Sequence, residues 1–313
     1  MREIYAYYKN ATLIKFNTFR LNPKADELYI LYTPQSLYSV CKRCNTQNIK
    51  FKVIGMGANL VFPDSGFRGA IIVNRSDNLT FDVDSVIAES GVKLSNLIQK
   101  CYLRSLGGFE RLVGIPATVG GAITNNVGAF DTSFADHIEW VKGFLTSNPD
   151  ISFTFTNKEC KFGYRDSIFK SGNYVITHAK INLKLLCPDV IRGNMIEAIN
   201  KKKSTQPLDF PSAGSVFKRI YLKSEESEKS NIKTHQNNEN VIAKIIYPAK
   251  LIDELGLKGL TVGGAQVSCK HAGFIVNIGG ATAKDIETLT KIIKEKVFYA
   301  TSIKLEEEIE FVT

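Results

Sequence analysis

Long apolar runs are missing from this sequence. No segment approaches the roughly 18 consecutive apolar residues that crossing a bilayer requires. The opening MREIYAYYKNATLIKF lacks an apolar stretch followed by a small-residue cleavage site, so no secretory leader is expected and the cytoplasm is the expected compartment. Histidine is scarce, and the first in the chain is His137. The six cysteines are scattered; Cys41 and Cys44 form a CxxC, but no second pair or nearby histidine completes a zinc set. No metal centre is therefore expected, and reduced thiols suit the cytoplasm. Also missing are a G-x-x-x-x-G-K-[ST] phosphate loop, a G-x-G-x-x-G Rossmann turn, a G-x-S-x-G nucleophile elbow, an internal repeat and a recognisable nucleic-acid module.

What is present is an ordinary globular composition, 44% hydrophobic and 23% charged over 313 residues, enough for two domains or one large one with an insertion. The formal charge of +9 reads either as a lysine-rich solvated surface or as a field suited to phosphate-bearing ligands. Lys201-Lys202-Lys203 is the only tight basic run, too short to argue for nucleic acid.

Strand-like runs rich in Val, Ile and Phe recur through the first 190 residues: FKVIGMG, GAIIVN, VIAESG, HIEWVKGFL, ISFTF and YVITHAKINLKL. Helical patterns lie around 34–45, with Leu37, Val40, Cys41 and Cys44 on one face, and around 92–102. The mixture predicts an α+β fold rather than a regular βαβ repeat. A helix through IRGNMIEAINKKK leads into STQPLDFPSAGS, a candidate boundary. Residues 224–240 are polar and predict an exposed, mobile insertion. KLIDELGLKGL predicts a helix ending near Gly256, HAGFIVNIGG a strand, ATAKDIETLTKIIKEKVFYATS a helix, and IKLEEEIEFV an alternating strand.

Two glycine-rich stretches stand out. In VIGMGANLVFPDSGFRGAII a strand runs into Gly55-Met56-Gly57-Ala58-Asn59, where glycine permits positive φ and close approach to backbone N–H donors. In GIPATVGGAITNNVGAF, residues 114–130, Gly120-Gly121-Ala122 and Gly128-Ala129 would leave amides open while Ile115, Val119 and Ile123 anchor the loop in a core. One such loop is readily a structural bend. Two in one domain suggest a long ligand with a charged middle, such as a dinucleotide.

The order of motifs then becomes specific. NTF (17–19), GMGANLVFPDSGFRG (55–69), FERLVGIPATVGGAITNNVGAF (109–130), FGYRDSIFK (162–170), SAGSVFK (212–218), KLIDELGLKGLTVGGAQVS (250–268), HAGFIVN (271–277) and LEEEIEF (305–311) cover nearly the whole chain. This series resembles the UDP-N-acetylenolpyruvoylglucosamine reductase family in its shorter second type. The departures are Ala117 where the family has Gly, Asn125 where Met is common, Asn22-Pro23 for Gly-Gly, and Arg219-Ile220 for Asn-Pro.

The resemblance implies a vanillyl-alcohol-oxidase-like (PCMH-type) FAD-binding domain over 1–190, made of two α+β subdomains. A connecting helix and linker would follow over 191–211, then a smaller α+β substrate-binding domain over 212–303 and a C-terminal strand over 304–313 carrying Glu308. It implies tightly bound, non-covalent FAD, NADPH as hydride donor and a UDP-sugar substrate, with no nucleic acid or membrane partner and a monomer or weak homo-oligomer. The cofactor would lie against Gly55, Gly57, Ala58, Asn59 and Leu60, and against Gly114, Ile115, Pro116, Gly120, Gly121, Ala122, Asn126, Gly128 and Ala129.

The implied reaction adds hydride to the enolpyruvyl β-carbon and leaves negative charge delocalised into the substrate carboxylate. Such a site needs a cation on that carboxylate and a proton donor for the α-carbon. By resemblance Arg165 supplies the planar cationic fork, Ser215 the proton, and Glu308, if protonated, assistance to the enol. Tyr164, Lys218 and His271 would contact substrate. Taken without the resemblance, Arg165 reads as a surface ion-pair residue beside Asp166, Ser215 as a cap or turn residue, and Glu308 as part of an acidic strand edge. Two other functions stay open at this point: an FAD oxidase of the same scaffold, which often binds flavin through a His or Cys, and a non-enzymatic basic polyphosphate or nucleic-acid-binding protein.

Overall fold

The computed structural model describes residues 5–130, 132–222 and 244–313; the insertion expected over 224–240 lies outside them. The chain forms two compact units, neither of them continuous in sequence. The first comprises residues up to Phe16, Lys24–Ala58 and Ser65–Ser204; the second comprises Asn17–Pro23, Asn59–Asp64 and Thr205–Thr313.

The first unit contains two sheets. In one, Lys24–Leu31, Phe67–Asn74 and Phe51–Ile54 lie side by side and parallel, and Tyr5–Thr12 adds an antiparallel edge. Parallel neighbours need crossover connections, and helix α1 (Pro34–Thr46) supplies one. Its buried face is the expected set Leu37, Val40, Cys41 and Cys44, packed with Tyr29, Leu31, Ala70 and Ile72 of the sheet. A parallel core therefore sits inside a fold read from sequence as having no regular βαβ repeat. The two strands before α1 escape the sequence reading. In KADELYIL the charges at Lys24, Asp26 and Glu27 mask the burial of Ala25, Leu28, Tyr29 and Leu31.

The registers Leu31↔Asn74 and Ile54↔Val73 bring the carboxyl ends of the three parallel strands to one edge. The Gly55–Ala58 turn leaves from that edge, as does Arg75. Ligands of open α/β sheets bind outside such strand ends.

The second sheet of this unit is antiparallel, in the order Ser152–Thr156, Ile138–Leu145, Tyr174–Asn182, Ser85–Glu89, Leu79–Phe81. Helices α2 (Leu94–Tyr102) and α3 (Val119–Thr124) bury Leu94, Leu97, Ile98, Val119, Ala122 and Ile123 in a core with Val86, Val141, Ala179 and Ile181. Helix α4 (Pro188–Thr205) closes the unit.

The second unit is built on an antiparallel sheet ordered Ser212–Ser215, Phe274–Asn277, Ala265–Val267, Thr261–Val262. Helices α5 (Pro248–Glu254) and α6 (Ala283–Thr301) pack on it. Helix α5 stops as expected, with Gly256 at φ +66 in the left-handed conformation that glycine adopts without strain. The two detached segments of the unit are tied in specifically. Phe19, Leu21 and Val61 enter its core, Asn277 donates to the Phe19 carbonyl at 2.8 Å, and the Asn17 side chain closes its own loop onto Leu21.

The terminal segment is not the continuous alternating strand its sequence predicts. Phe217 and Glu307 form an isolated bridge, the chain bends at Glu308–Ile309, and only Glu310–Phe311 form a strand, parallel to Leu60–Val61. The segment changes partners at the bend: Glu308 N–H donates to the Val216 carbonyl and Glu310 N–H to the Asn59 carbonyl. One regular ladder could not reach both.

Candidate active site

The two glycine-rich stretches meet. A Cβ added to Gly55 would lie 2.3 Å from the Thr118 hydroxyl oxygen, a contact that no real side chain makes. Thr118 is the N-cap of α3 and accepts from the Gly121 N–H. The Gly55 turn and the start of α3 are thus in direct contact, with Gly57 at φ +63 continuing the turn in the left-handed region.

The expectation of open amides over Gly120–Ala122 is overturned, because these residues are helical rather than a loop. Gly120 N–H donates to the Ser90 carbonyl, Gly121 N–H to Thr118 Oγ1, and Ala122 N–H to the Thr118 carbonyl. A Cβ on Gly120 would press on Ser90 at 3.0 Å, whereas one on Gly121 would meet only Thr118, at 3.5 Å. Gly120 is glycine for packing; Gly121 leaves a bare helix surface.

A dinucleotide suits this surroundings on a further observation. Arg75, at the same strand edge as the Gly55 turn, has Nη1 buried without a hydrogen-bond partner among the described residues. Burial also lowers the pKa of its guanidinium. A buried donor without an acceptor costs about 1–3 kcal/mol, and a pyrophosphate is an acceptor of matching charge. Gly55, Gly57, Ala58, Gly114, Ile115, Pro116 and Gly121 are the residues here that would hold it.

The end of the second stretch holds Arg165 instead. Gly163 and Asp166 exchange backbone hydrogen bonds of 3.0 and 3.2 Å, so Tyr164 and Arg165 form the tip of a tight turn. Arg165 has φ +54, which a residue with a Cβ adopts at a cost of roughly 1–2 kcal/mol. Its guanidinium donates to the Gly128 carbonyl at 2.7 Å and the Asn126 carbonyl at 3.4 Å, and lies 5.2 Å from the Tyr164 ring centroid. A Cβ on Gly128 would approach Thr132 O at 2.8 Å and Arg165 Nη1 at 3.3 Å. Asn126, expected as a cofactor contact, has its side chain engaged within the protein: it donates to the Gly163 carbonyl at 2.8 Å and accepts from Ala135 N–H at 3.0 Å. Asn126 therefore braces the turn that presents Arg165. Tyr164, Arg165, Asn126, Ser133, Asp136 and Asn157 line a cleft of about 670 Å³ in the first unit.

Ser215, Lys218 and Glu308 belong to the second unit, where the structure brings them together. Ser215 ends its strand opposite Phe274 after Gly214 at φ +80 and a break in register. The bulge leaves the Ser215 hydroxyl half-buried, with no hydrogen-bond partner among the described residues. Residues 216–218 then run beside 306–308: Lys218 N–H donates to the Glu306 carbonyl at 2.9 Å and Glu308 N–H to the Val216 carbonyl at 2.7 Å. The Lys218 ammonium pairs with the Glu306 carboxylate. Asn59 clasps the same segment, its side chain donating to the Glu308 carbonyl at 2.9 Å. Leu60 lies in the strand paired with Glu310–Phe311. The sequence alone contains no signal that residues 90 positions apart, Phe217 and Glu307, are neighbours; their pairing is tertiary.

His271 sits in the turn before Phe274, its Nδ1 accepting from Gly273 N–H at 3.1 Å and its ring edge-on to Phe274. Burial, with Lys258 nearby, holds the imidazole below its ordinary pKa.

The model of an FAD binding domain matches residues 28–149, and that of the UDP-N-acetylenolpyruvoylglucosamine reductase C-terminal domain matches residues 206–312. The UDP-N-acetylenolpyruvoylglucosamine reductase of Alkaliphilus oremlandii is 35% identical over 297 residues, covering 94% of this chain and 90% of that one. The enzyme of the same name from Caldanaerobacter subterraneus subsp. tengcongensis is 34% identical, covering 92% and 89%. The crystal structure of UDP-N-acetylenolpyruvylglucosamine reductase from Thermus caldophilus superposes with a TM-score of 0.75 at 29% identity, over 99% of this chain and all of the other. The fold is accordingly the expected α+β one, with an FAD-binding domain. The chain belongs to the UDP-N-acetylenolpyruvoylglucosamine reductase family and is an FAD-containing, NADPH-dependent oxidoreductase of peptidoglycan synthesis.

Proposed function

We propose that Arg165, Ser215 and Glu308 carry the reduction of UDP-N-acetylenolpyruvoylglucosamine to UDP-N-acetylmuramate in this chain. FAD, when bound, relays hydride from NADPH to the enolpyruvyl double bond. Arg165 holds the substrate carboxylate, where negative charge collects, through a rigid fork already aimed by two backbone carbonyls. Ser215 gives its proton to the α-carbon. Glu308 assists that transfer, and Lys218, Tyr164 and His271 contact the sugar nucleotide. The observation that carries this reading is the pairing of 216–218 with 306–308. It supports the reading because the segment that follows Ser215 is hydrogen-bonded to the segment that contains Glu308. Residues 1–190 would handle the cofactor and 212–303 the substrate. The reaction would run in the cytoplasm, where NADPH and nucleotide-activated sugars are available, on a monomer or weak homo-oligomer; light scattering on a gel-filtration column measures the latter.

The test separates the half-reactions. Anaerobic protein with bound flavin should bleach on NADPH addition and recover its colour when the enolpyruvyl sugar nucleotide is added. Ser215→Ala should bleach at the wild-type rate and recover at least ~100-fold more slowly, the scale of general acid catalysis. Equal slowing of both steps would remove Ser215 from the proton-donor role, and recovery only with O₂ would point to an oxidase.

A further inference from the structure

Lys202 is the middle residue of the basic run near the end of α4, and it is 8% exposed while its two neighbours face solvent. Its ammonium donates to the carbonyl of Val113. Among the described residues it has no carboxylate partner, and burial alone lowers its pKa to about 8. An ammonium withdrawn from water without an opposing charge is strongly disfavoured, so a lysine held this way needs a reason.

The carbonyl it grips supplies one. Val113 immediately precedes Gly114, which has φ +80, and a Cβ on Gly114 would lie 3.8 Å from Lys202 Cδ and 4.0 Å from Nζ. The lysine head is packed against the turn that opens Gly114-Ile115-Pro116. Helix α4 fastens the preceding residues as well: Asn194 donates to Glu110 at 3.0 Å, and Arg111 pairs with Glu197 at 3.1 Å. Those two contacts match each charge to a partner. Lys202 is the exception, and it is the contact nearest the cofactor turn.

We propose that Lys202 is a positioning residue for the cofactor: it fixes the Val113 carbonyl so that the Gly114–Pro116 turn is shaped to receive FAD, and the anionic cofactor answers the charge that the protein leaves unpaired. The proposal rests on the assignment of this turn to FAD. It explains why a lysine, rather than an apolar residue of similar length, occupies a buried position on α4.

The experiment compares wild type, Lys202→Met and Lys202→Arg, each stripped of flavin and titrated with FAD by fluorescence quenching, with thermal melting of the stripped and reloaded forms. Met keeps the length of the stem and removes the charge, so stripped Lys202→Met should melt at or above the wild-type temperature. Its FAD Kd should rise at least ~10-fold, the range expected for losing a charged hydrogen bond, and its FAD-induced rise in Tm should shrink. Lys202→Arg should stay within about threefold of wild type. Unchanged FAD affinity in Lys202→Met would overturn the proposal, as would equal loss in both variants accompanied by a lowered melting temperature of the stripped protein, which would mark a purely structural lysine. A wild-type chain that takes up no FAD at all would overturn the cofactor assignment and this proposal together.

Discussion

At the scale of single residues, the site is shaped by side chains that are absent and by charges held out of water. Gly55 illustrates the first. Alanine there would collide with Thr118, which cannot retreat without releasing the Gly121 N–H it caps. We expect Gly55→Ala to lower stability by about 1–3 kcal/mol, the usual scale of overpacking, and to weaken FAD retention; urea titration and the flavin content of purified protein would measure both. Lys202 illustrates the second, and its linkage has a definite sign. Its folded pKa of about 8 lies below the ordinary 10.5, so between those values the unfolded chain binds more protons. Stability of the flavin-free protein should therefore gain from this group as pH rises from 8 to 10.5, and the penalty is fully present below 8. The stability difference between Lys202→Met and wild type, measured by denaturant titration at pH 7 and pH 10, should narrow at the higher pH. No narrowing would mean that Lys202 is not buried as a cation.

At the scale of elements, the first turn of α6 shows how a distant motif acts. Thr282 and Asp285 form a capping box, and Asp64, from the PDSG part of the first glycine-rich stretch, accepts from Ala283 N–H at 2.7 Å and Lys284 N–H at 3.0 Å. Asp64→Ala should cost roughly 1–2 kcal/mol of stability without altering the rate of flavin reduction by NADPH; loss of flavin reduction at unchanged stability would show that Asp64 serves the chemistry instead. The sequence displays such elements unevenly. The apolar face of α1 and the stop of α5 at Gly256 are legible because spacing and local φ decide them. The Lys24–Leu31 strand is not, because its charges occupy positions that alternate only once the neighbouring strands are known. Lys201-Lys202-Lys203 reads as uniformly solvated, since periodicity cannot say which of three lysines a helix turns inward. The glycines of α3 advertise a close approach correctly, but not that their amides are already engaged. Arg165 is visible as a motif residue, while its left-handed backbone and its two carbonyl anchors are properties of the folded turn.

At the scale of the whole molecule, the charge of +9 predicts that both nucleotide ligands are steered at a distance. A positive field draws anionic ligands in and is screened over about 10 Å at 0.1 M salt. Raising ionic strength from about 20 to 200 mM should raise KM for NADPH and for the UDP-sugar while leaving kcat nearly constant; a kcat that falls in parallel would argue against steering. The second unit has a different consequence. Its core takes Phe19, Leu21 and Val61 from segments far upstream of residue 205, and burying three such side chains contributes roughly 5–9 kcal/mol, comparable to the net stability of a whole domain. The stretch from 206 to 312, which looks like a module when sequences are aligned, is thus an incomplete one. Expressed by itself it should stay unfolded, and recombination that exchanges it between relatives must carry the small upstream pieces along, so this enzyme is inherited as one object and not as two parts.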